Sequence, residues 1–246
     1  MNAVSVIIPT VNMGRFLGDA IASISRQDRE IAEIIVVDSG SVDGTADIVA
    51  RLAKDGTPIR LLESESRAPG TARNEGIAIA RGDIIAFLDA DDLWPEGKLK
   101  RQLDYLHAFD SKSMVSGFVR YFDILDPERL APAANSRIET LFHVHLGACL
   151  YRREVFDRIG AFNETLLYSE DVDLLLRVRE AGIAFTILRE VMLYYRKHGD
   201  SMMAQKNPRK TADFRRAVAM SLARRRAGGK PPIDHMRFES FFEALP

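Results

Sequence analysis

The sequence predicts an α/β fold: a mixed, mainly parallel sheet flanked by helices, followed by a basic helical C-terminal extension. Short β-branched runs alternate with segments of helical spacing, each about a dozen residues apart, which is the pattern of βαβ units. Most of these runs stop at polar or acidic residues. At 246 residues, 46% hydrophobic and 28% charged, the chain has the composition of a globular protein with a sizeable core.

Val4 to Ile8 is a β-branched run ended by Pro9, which cannot donate to a sheet ladder. Leu17, Ala20, Ile21 and Ile24 recur at helical spacing, so a helix spans Phe16 to Ser25. Ile34 to Val37 is the second strand, and Asp43-Gly44-Thr45 opens a helix carrying Ile48, Val49 and Leu52. Pro58 to Leu62 forms a weaker strand and Gly70 to Ala80 a helix. Ile84 to Leu88 then reads as a fully buried strand that ends in three carboxylates, Asp89, Asp91 and Asp92. Pro95 suits the first turn of a helix striped by Leu99, Leu103 and Leu106. Met114 to Phe122 is a strand, 123–136 a loop, and Arg153 to Ile159 a helical turn. Glu170 to Ala181 is amphipathic, and two strands, Ile183 to Ile187 and Val191 to Tyr195, close the sheet.

The first unit is therefore 1–205 and the extension is 206–246. A formal net charge of -1 gives no reason to expect nucleic acid. From Lys206 onward ten Lys/Arg face four Asp/Glu, so the extension is strongly basic. The single cysteine, Cys149, excludes an internal disulfide and lies in an apolar run as a buried thiol. No signal peptide and no window of roughly 18 apolar residues is evident, so the expected location is cytoplasmic, with any membrane contact peripheral, at the inner face.

Polar clusters follow four strand ends: Thr10/Asn12, Asp38/Ser39, the Asp89 group and His198. Parallel strands end along one rim of a sheet, so these groups converge where such folds bind ligands. Mg²⁺ takes one or two carboxylates plus substrate phosphates, which suits Asp91, and Arg73 suits a diphosphate. Neither Gly-x-Gly-x-x-Gly nor Gly-x-x-x-x-Gly-Lys-Ser/Thr occurs, which counts against dinucleotide dehydrogenases and P-loop enzymes.

Six segments in register resemble family 2 glycosyltransferases: Val-Ser-Val-Ile-Ile-Pro-Thr-Val-Asn (4–12), Ile-Ile-Val-Val-Asp-Ser-Gly-Ser-Val-Asp-Gly-Thr (34–45), Ala-Arg-Asn-Glu-Gly (72–76), Phe-Leu-Asp-Ala-Asp-Asp (87–92), Arg-Ile-Gly-Ala-Phe-Asn-Glu (158–164) and Ser-Glu-Asp-Val-Asp-Leu-Leu-Leu-Arg (169–177). The resemblance implies a GT-A fold, with a donor half of about 1–110 and an acceptor half of about 111–205, and inverting, metal-dependent transfer of a sugar from a nucleotide diphosphate sugar, UDP-sugar favoured, to a hydroxyl acceptor in polysaccharide or glycolipid assembly. It puts Pro9, Thr10, Asn12, Asp38, Ser39, Arg73, Asp89 and Ala90 on the donor, and Asp91 and His198 on Mg²⁺ or Mn²⁺. Asp171 becomes the general base, although a carboxylate there also suits a helix N-terminus through the dipole. Asp92 has no assigned role. The chain departs from the family at Val11, where Tyr is frequent, and at Ser39, where Asp is, so the nucleotide stays open. Two other readings stay open: a sugar-1-phosphate nucleotidyltransferase, although residues 9–16 lack that class's Gly-rich loop, and a non-catalytic nucleotide-sugar-binding protein.

His143 and His145 are two residues apart with no third ligand nearby, which argues against zinc. Trp94 is expected in the core. Phe214, Val218 and Leu222 stripe a basic helix that either packs on the body or lies on an anionic membrane. Phe238, Phe241, Phe242 and Leu245 form a second stripe, expected to bury within the protein or in a homodimer.

Overall fold

The computed structural model describes residues 3–27, 31–143, 145–202 and 206–228. Its first half is a run of βα units: β1 (Val4–Thr10), α1 (Gly14–Ser25), β2 (Glu33–Asp38), α2 (Thr45–Lys54), β3 (Ile59–Glu63), α3 (Pro69–Ile79) and β4 (Ile84–Phe87). After α4 (Lys98–Ala108) come β5 (Met114–Phe122), the short strands β6 (Leu125–Asp126), β7 (Ala131–Pro132), β8 (Glu139–Leu141) and β9 (Leu150–Arg152), then α5 (Glu154–Ile159), α6 (Glu170–Glu180), β10 (Phe185–Arg196) and α7 (Arg209–Ala227).

The main sheet runs β10-β5-β9-β4-β1-β2-β3, with β8 attached to β5. All pairings are parallel except those of β9 with β4 and β5 and of β8 with β5. Side chains alternate between the two faces of a strand, and the central strands are buried on both, which is why they read as continuous apolar runs. Val4, Val6, Ile8, Ile34, Val36 and Ala86 pack under Leu17, Ile21 and Ile24 of α1 and Leu99, Leu103 and Leu106 of α4. Ile7, Ile35, Val37, Ile85 and Phe87 pack on the other face under Ala72 of α3, Phe156 of α5, and Leu174 and Val178 of α6. Gly76 lets α3 approach β1 closely: a Cβ there would stand 2.5 Å from Ile7 Cγ2.

Several sequence expectations change. Pro95 lies ahead of α4, which begins at Lys98 after Gly97 takes φ +69. The two closing strands are one, β10, whose register with β5 shifts between Ile187 and Leu193. The 123–136 loop holds the small β6–β7 hairpin. The apolar run around Cys149 makes a 3₁₀ turn, Leu146–Ala148, and leads into the reversed strand β9. Trp94 is in the core, 2% exposed, with its Nε1 donating to Gly147 O at 3.1 Å.

Helix α7 packs along α6, but not through its apolar stripe. Asp213, Ala217, Ser221 and Arg225 are buried, whereas Phe214 and Leu222 are 50% and 42% exposed. The second stripe, Phe238 to Leu245, falls outside the described residues. Among the described residues no helix is long and apolar enough to cross a membrane.

Candidate active site

The C-terminal ends of β1, β2 and β4 and the start of α6 open onto one cleft of about 360 Å³. Pro9, Thr10, Val11, Ser39, Arg73, Asp89, Ala90 and Asp91 line it on one side, and Tyr168, Ser169, Glu170 and Asp171 on the other. Eight of the residues that the sequence points to are thus brought together: Pro9, Thr10, Ser39, Arg73, Asp89, Ala90, Asp91 and Asp171. Asn12, Asp38 and His198 do not line the cleft.

Each of these three has a physical reason for its place. Asn12, at φ +53, turns away: its Oδ1 accepts from Val42 N at 2.9 Å and its own N–H donates to Ser41 Oγ at 2.8 Å. Asn tolerates this left-handed backbone better than most residues. Asp38 is buried behind Ser39 and holds the turn through Ser41, whose N–H and hydroxyl both donate to Asp38 Oδ1. His198 lies one layer behind the cleft wall, with Nε2 2.8 Å from Asp91 Oδ2 and its ring 4.5 Å from that of Phe16. The inward side is left to Thr10, a buried residue whose Oγ1 has no hydrogen-bond partner, and to Ser39, whose N–H donates to Thr10 O.

Arg73 is 5% exposed and bridges the two sides of the cleft. Its Nη2 donates to Asp89 Oδ1 at 2.7 Å and its Nη1 to Glu170 Oε1 at 2.6 Å. Arg73, expected from the sequence as a counter-charge for a diphosphate, lines the cleft with both terminal nitrogens held by protein carboxylates. Burial opposes ionisation of Asp89, but the charge and hydrogen bond of Arg73, together with His145, hold the carboxyl below its usual range. Burial and the charge of Asp171 push Glu170 up against the pull of Arg73, and the 2.6 Å bond argues for a carboxylate there.

The acids crowd one another. Burial and the charge of Asp89 push Asp91 up, with His198 opposing. Burial, then Asp91 and Asp89, push Asp92 much further up. Asp92 also has a structural role, because its Oδ1 accepts from Arg196 N at 3.0 Å and ties the end of β10 to the Asp-rich turn. Asp92 Oδ2 and His198 Nδ1 are both buried without a partner. Such a set of carboxylate oxygens and imidazole nitrogens, mutually repelling and partly unsatisfied, fits a divalent cation. Two groupings are available. Asp91 and His198 form one. Asp89, Asp92 and His145 form the other, with donor atoms within 4.8 Å of one another. The partners His145 would need at a cation come from across the fold, as Asp89 and Asp92; His143 instead lies 2.5 Å from Tyr121 Oη. Burial holds His145 below its usual range, as a neutral ring.

Sequence reasoning missed Glu170 as the partner of Arg73. The two are 97 residues apart and no local signal joins them. It also missed Tyr195 and Lys210, which line the cleft.

The geometry matches a known family. The family model described as Glycosyl transferase family 2 matches residues 5–160. This chain belongs to glycosyl transferase family 2. Among curated relatives, the Escherichia coli UDP-Glc:alpha-D-GlcNAc-diphosphoundecaprenol beta-1,3-glucosyltransferase WfaP is 30% identical over 84% of this chain and 82% of that protein. The chain spans 37% and 62% of the length of two other curated relatives that it matches. Two solved structures share the fold. S. aureus TarS 1-349 in complex with UDP-GlcNAc is 21% identical, with a TM-score of 0.67 over 88% of this chain and 66% of that one. The mannosyltransferase PcManGT from Pyrobaculum calidifontis, in complex with GDP-Man and Mn2+, is 21% identical, with a TM-score of 0.64 over 94% of this chain and 77% of that one. The mixed, mainly parallel GT-A sheet expected from the family 2 motifs is thus the fold of this chain.

Proposed function

We propose that this chain transfers a sugar from a nucleotide diphosphate sugar to a hydroxyl acceptor, with inversion at the anomeric carbon. The observation that carries the reading is the pairing, across one cleft, of Asp89 and Asp91 at the end of β4 with Asp171 in the first turn of α6. Asp171 accepts the proton of the acceptor hydroxyl as its oxygen attacks the anomeric carbon. The bond from that carbon to the diphosphate breaks in the same displacement, and its electron pair leaves with the nucleoside diphosphate. One displacement inverts the centre.

Asp91 and His198 are the residues that would hold Mg²⁺ or Mn²⁺, and the cation would supply positive charge against the departing diphosphate. They are preferred over Asp89, Asp92 and His145 because Asp89 is already held by Arg73, while Asp92 is 1% exposed and committed to β10. Thr10 Oγ1 and Ser39 supply polar contacts for base and ribose, beside Val11 and Pro9. Tyr195 and His145, with rings 5.6 Å apart, offer flat surfaces at the sugar end. A UDP-sugar donor is favoured by WfaP and by the UDP-GlcNAc complex of TarS, and the GDP-Man complex of PcManGT supports GDP-sugars as the second choice. The acceptor named for WfaP supports a saccharide or lipid-linked saccharide acceptor in polysaccharide assembly. Membership of family 2 speaks against the nucleotidyltransferase reading.

Calorimetry with UDP and GDP, each with and without Mn²⁺, tests the assignment. Asp91→Ala is expected to abolish the metal-dependent part of nucleotide binding. Asp171→Asn is expected to keep that binding and to lose turnover of UDP-glucose, UDP-GlcNAc or GDP-mannose. Nucleotide binding that ignores Asp91→Ala would remove the cation from this site, and full turnover in Asp171→Asn would remove the base.

A further inference from the structure

Tyr168 and Leu167 lie in the loop just before the α6 helix that carries Asp171. Their backbone N–H groups have no helix or strand partner. Both donate, at 3.1 Å each, to one oxygen of Asp213, a buried carboxylate of α7 more than forty residues downstream. The next residue, Ser169, stands at φ +63, a left-handed backbone that non-glycine residues adopt only when held there. Ser169 O then accepts from Asp173 N, starting the helix.

The rest of α7 grips the same region from both sides. Asn207, just before α7, donates to Tyr168 Oη at 3.2 Å, and Arg216 donates to Thr165 O at 3.3 Å. Further along, Arg224 bonds Asp173 and Glu180, fixing α6 itself. The inward face of α7 is polar while Phe214 and Leu222 face out, so this helix is held by directed bonds, not by an apolar seam.

We propose that α7 is a positioning element of the catalytic machinery, with Asp213 pinning the 167–169 turn so that Asp171 enters the cleft in one orientation. The inference rests on Asp171 being the base. A catalytic carboxylate displaced by about 1 Å loses on the order of a hundredfold in rate, whereas the donor residues of β1, β2 and β4 lie on other elements. Loss of the pin therefore lowers kcat and leaves donor affinity in place.

The test uses the full chain with Asp213→Ala, Asp213→Asn and Asp171→Asn. The isosteric amide of Asp213→Asn still offers an acceptor oxygen to both N–H groups. In hydrogen exchange, the 166–169 amides are expected to exchange about tenfold or more faster in Asp213→Ala and at the wild-type rate in Asp213→Asn. In release of nucleoside diphosphate from UDP-glucose, UDP-GlcNAc or GDP-mannose, with water as acceptor, Asp213→Ala is expected to lose roughly ten- to a hundredfold in kcat. Its donor KM and its UDP or GDP affinity with Mn²⁺ should stay unchanged, and Asp213→Asn should restore kcat. Should Asp213→Ala fail to fold, Asp213→Glu, which keeps the charge but displaces the oxygen, is expected to show the same kcat loss. Unchanged exchange at 166–169, or unchanged kcat in a folded Asp213→Ala or Asp213→Glu, would overturn the positioning role. A dead Asp171→Asn beside a fully active Asp213→Ala would overturn the pin alone. An active Asp171→Asn would overturn the base reading and the pin with it.

Discussion

Lys98 shows how far side-chain chemistry here is set by burial. It is fully buried at the start of α4, with Nζ 4.2 Å from the centre of the Trp94 ring and donating to Gln102 Oε1 at 2.5 Å. Burial lowers its pKa from 10.5 to about 7. Between those values the unfolded chain binds a proton that the folded one does not, so stability rises with pH through the window. Below about pH 7 both states are protonated and the cost of burying the charge is fully present. Wild type is therefore expected to gain about 2–3 kcal/mol on Lys98→Met between pH 7 and 9, read from urea unfolding at each pH. A constant difference would mean that Lys98 keeps its charge throughout. Arg73 is the opposite case, a cation whose charge is matched on both sides. Arg73→Gln should leave buried Glu170 and half-buried Asp89, beside Asp91, without their counter-charge. Truncating one partner of a buried pair costs roughly 3–5 kcal/mol, which a denaturant melt measures directly.

At the scale of elements, the close seat of α3 on β1 sets where Arg73 stands. Gly76→Ala would put a methyl group into Ile7, and such overpacking costs about 1–3 kcal/mol in unfolding experiments. The same scale shows what the sequence displays and what it hides. The strands β1, β2 and β4 announce themselves because they are β-branched runs buried on both faces and stopped by polar residues; the donor-side acids at their ends were legible for that reason. Strand β9 has three residues and no alternation, so nothing local distinguishes it from the turn before it. The inward face of α7 was illegible for a different reason. Periodicity looks for apolar stripes, and the residues that dock this helix are Asp213, Ala217, Ser221 and Arg225. The Arg73–Glu170 bond was hidden because it depends on two helices meeting over the cleft, which no spacing along the chain encodes.

For the whole molecule, the join between α6 and α7 is where the C-terminal part meets the sheet domain. Asp173, 1% exposed, is shared between Arg177 at 2.8 Å and Arg224 at 3.0 Å, and Arg224 also reaches Glu180 at 2.7 Å. Arg224→Ala leaves Asp173 with one partner and is expected to lower the stability of the whole chain by about 1–3 kcal/mol. A melt that splits into two transitions in this variant would mark α7 as a separate cooperative unit; a single shifted transition is the expected result.

The reversal of β9 has a consequence for how such a chain can vary. Because β5 leaves the sheet at the rim where the strands β1, β2 and β4 end, and β9 returns from that same rim, residues 123–143 and 145–149 belong to an excursion that departs and re-enters on the site side. Leu130 and the last residues of the stretch, Leu146, Ala148 and Cys149, are buried in the core, so only its exposed middle can change length without opening a gap there. The strands of the stretch, Leu125–Asp126, Ala131–Pro132 and Glu139–Leu141, pair in a small hairpin and along an edge instead of in the central ladder. Changes of length confined to 133–138, where no residue is buried, would reshape the rim on the site side above an unchanged sheet and core.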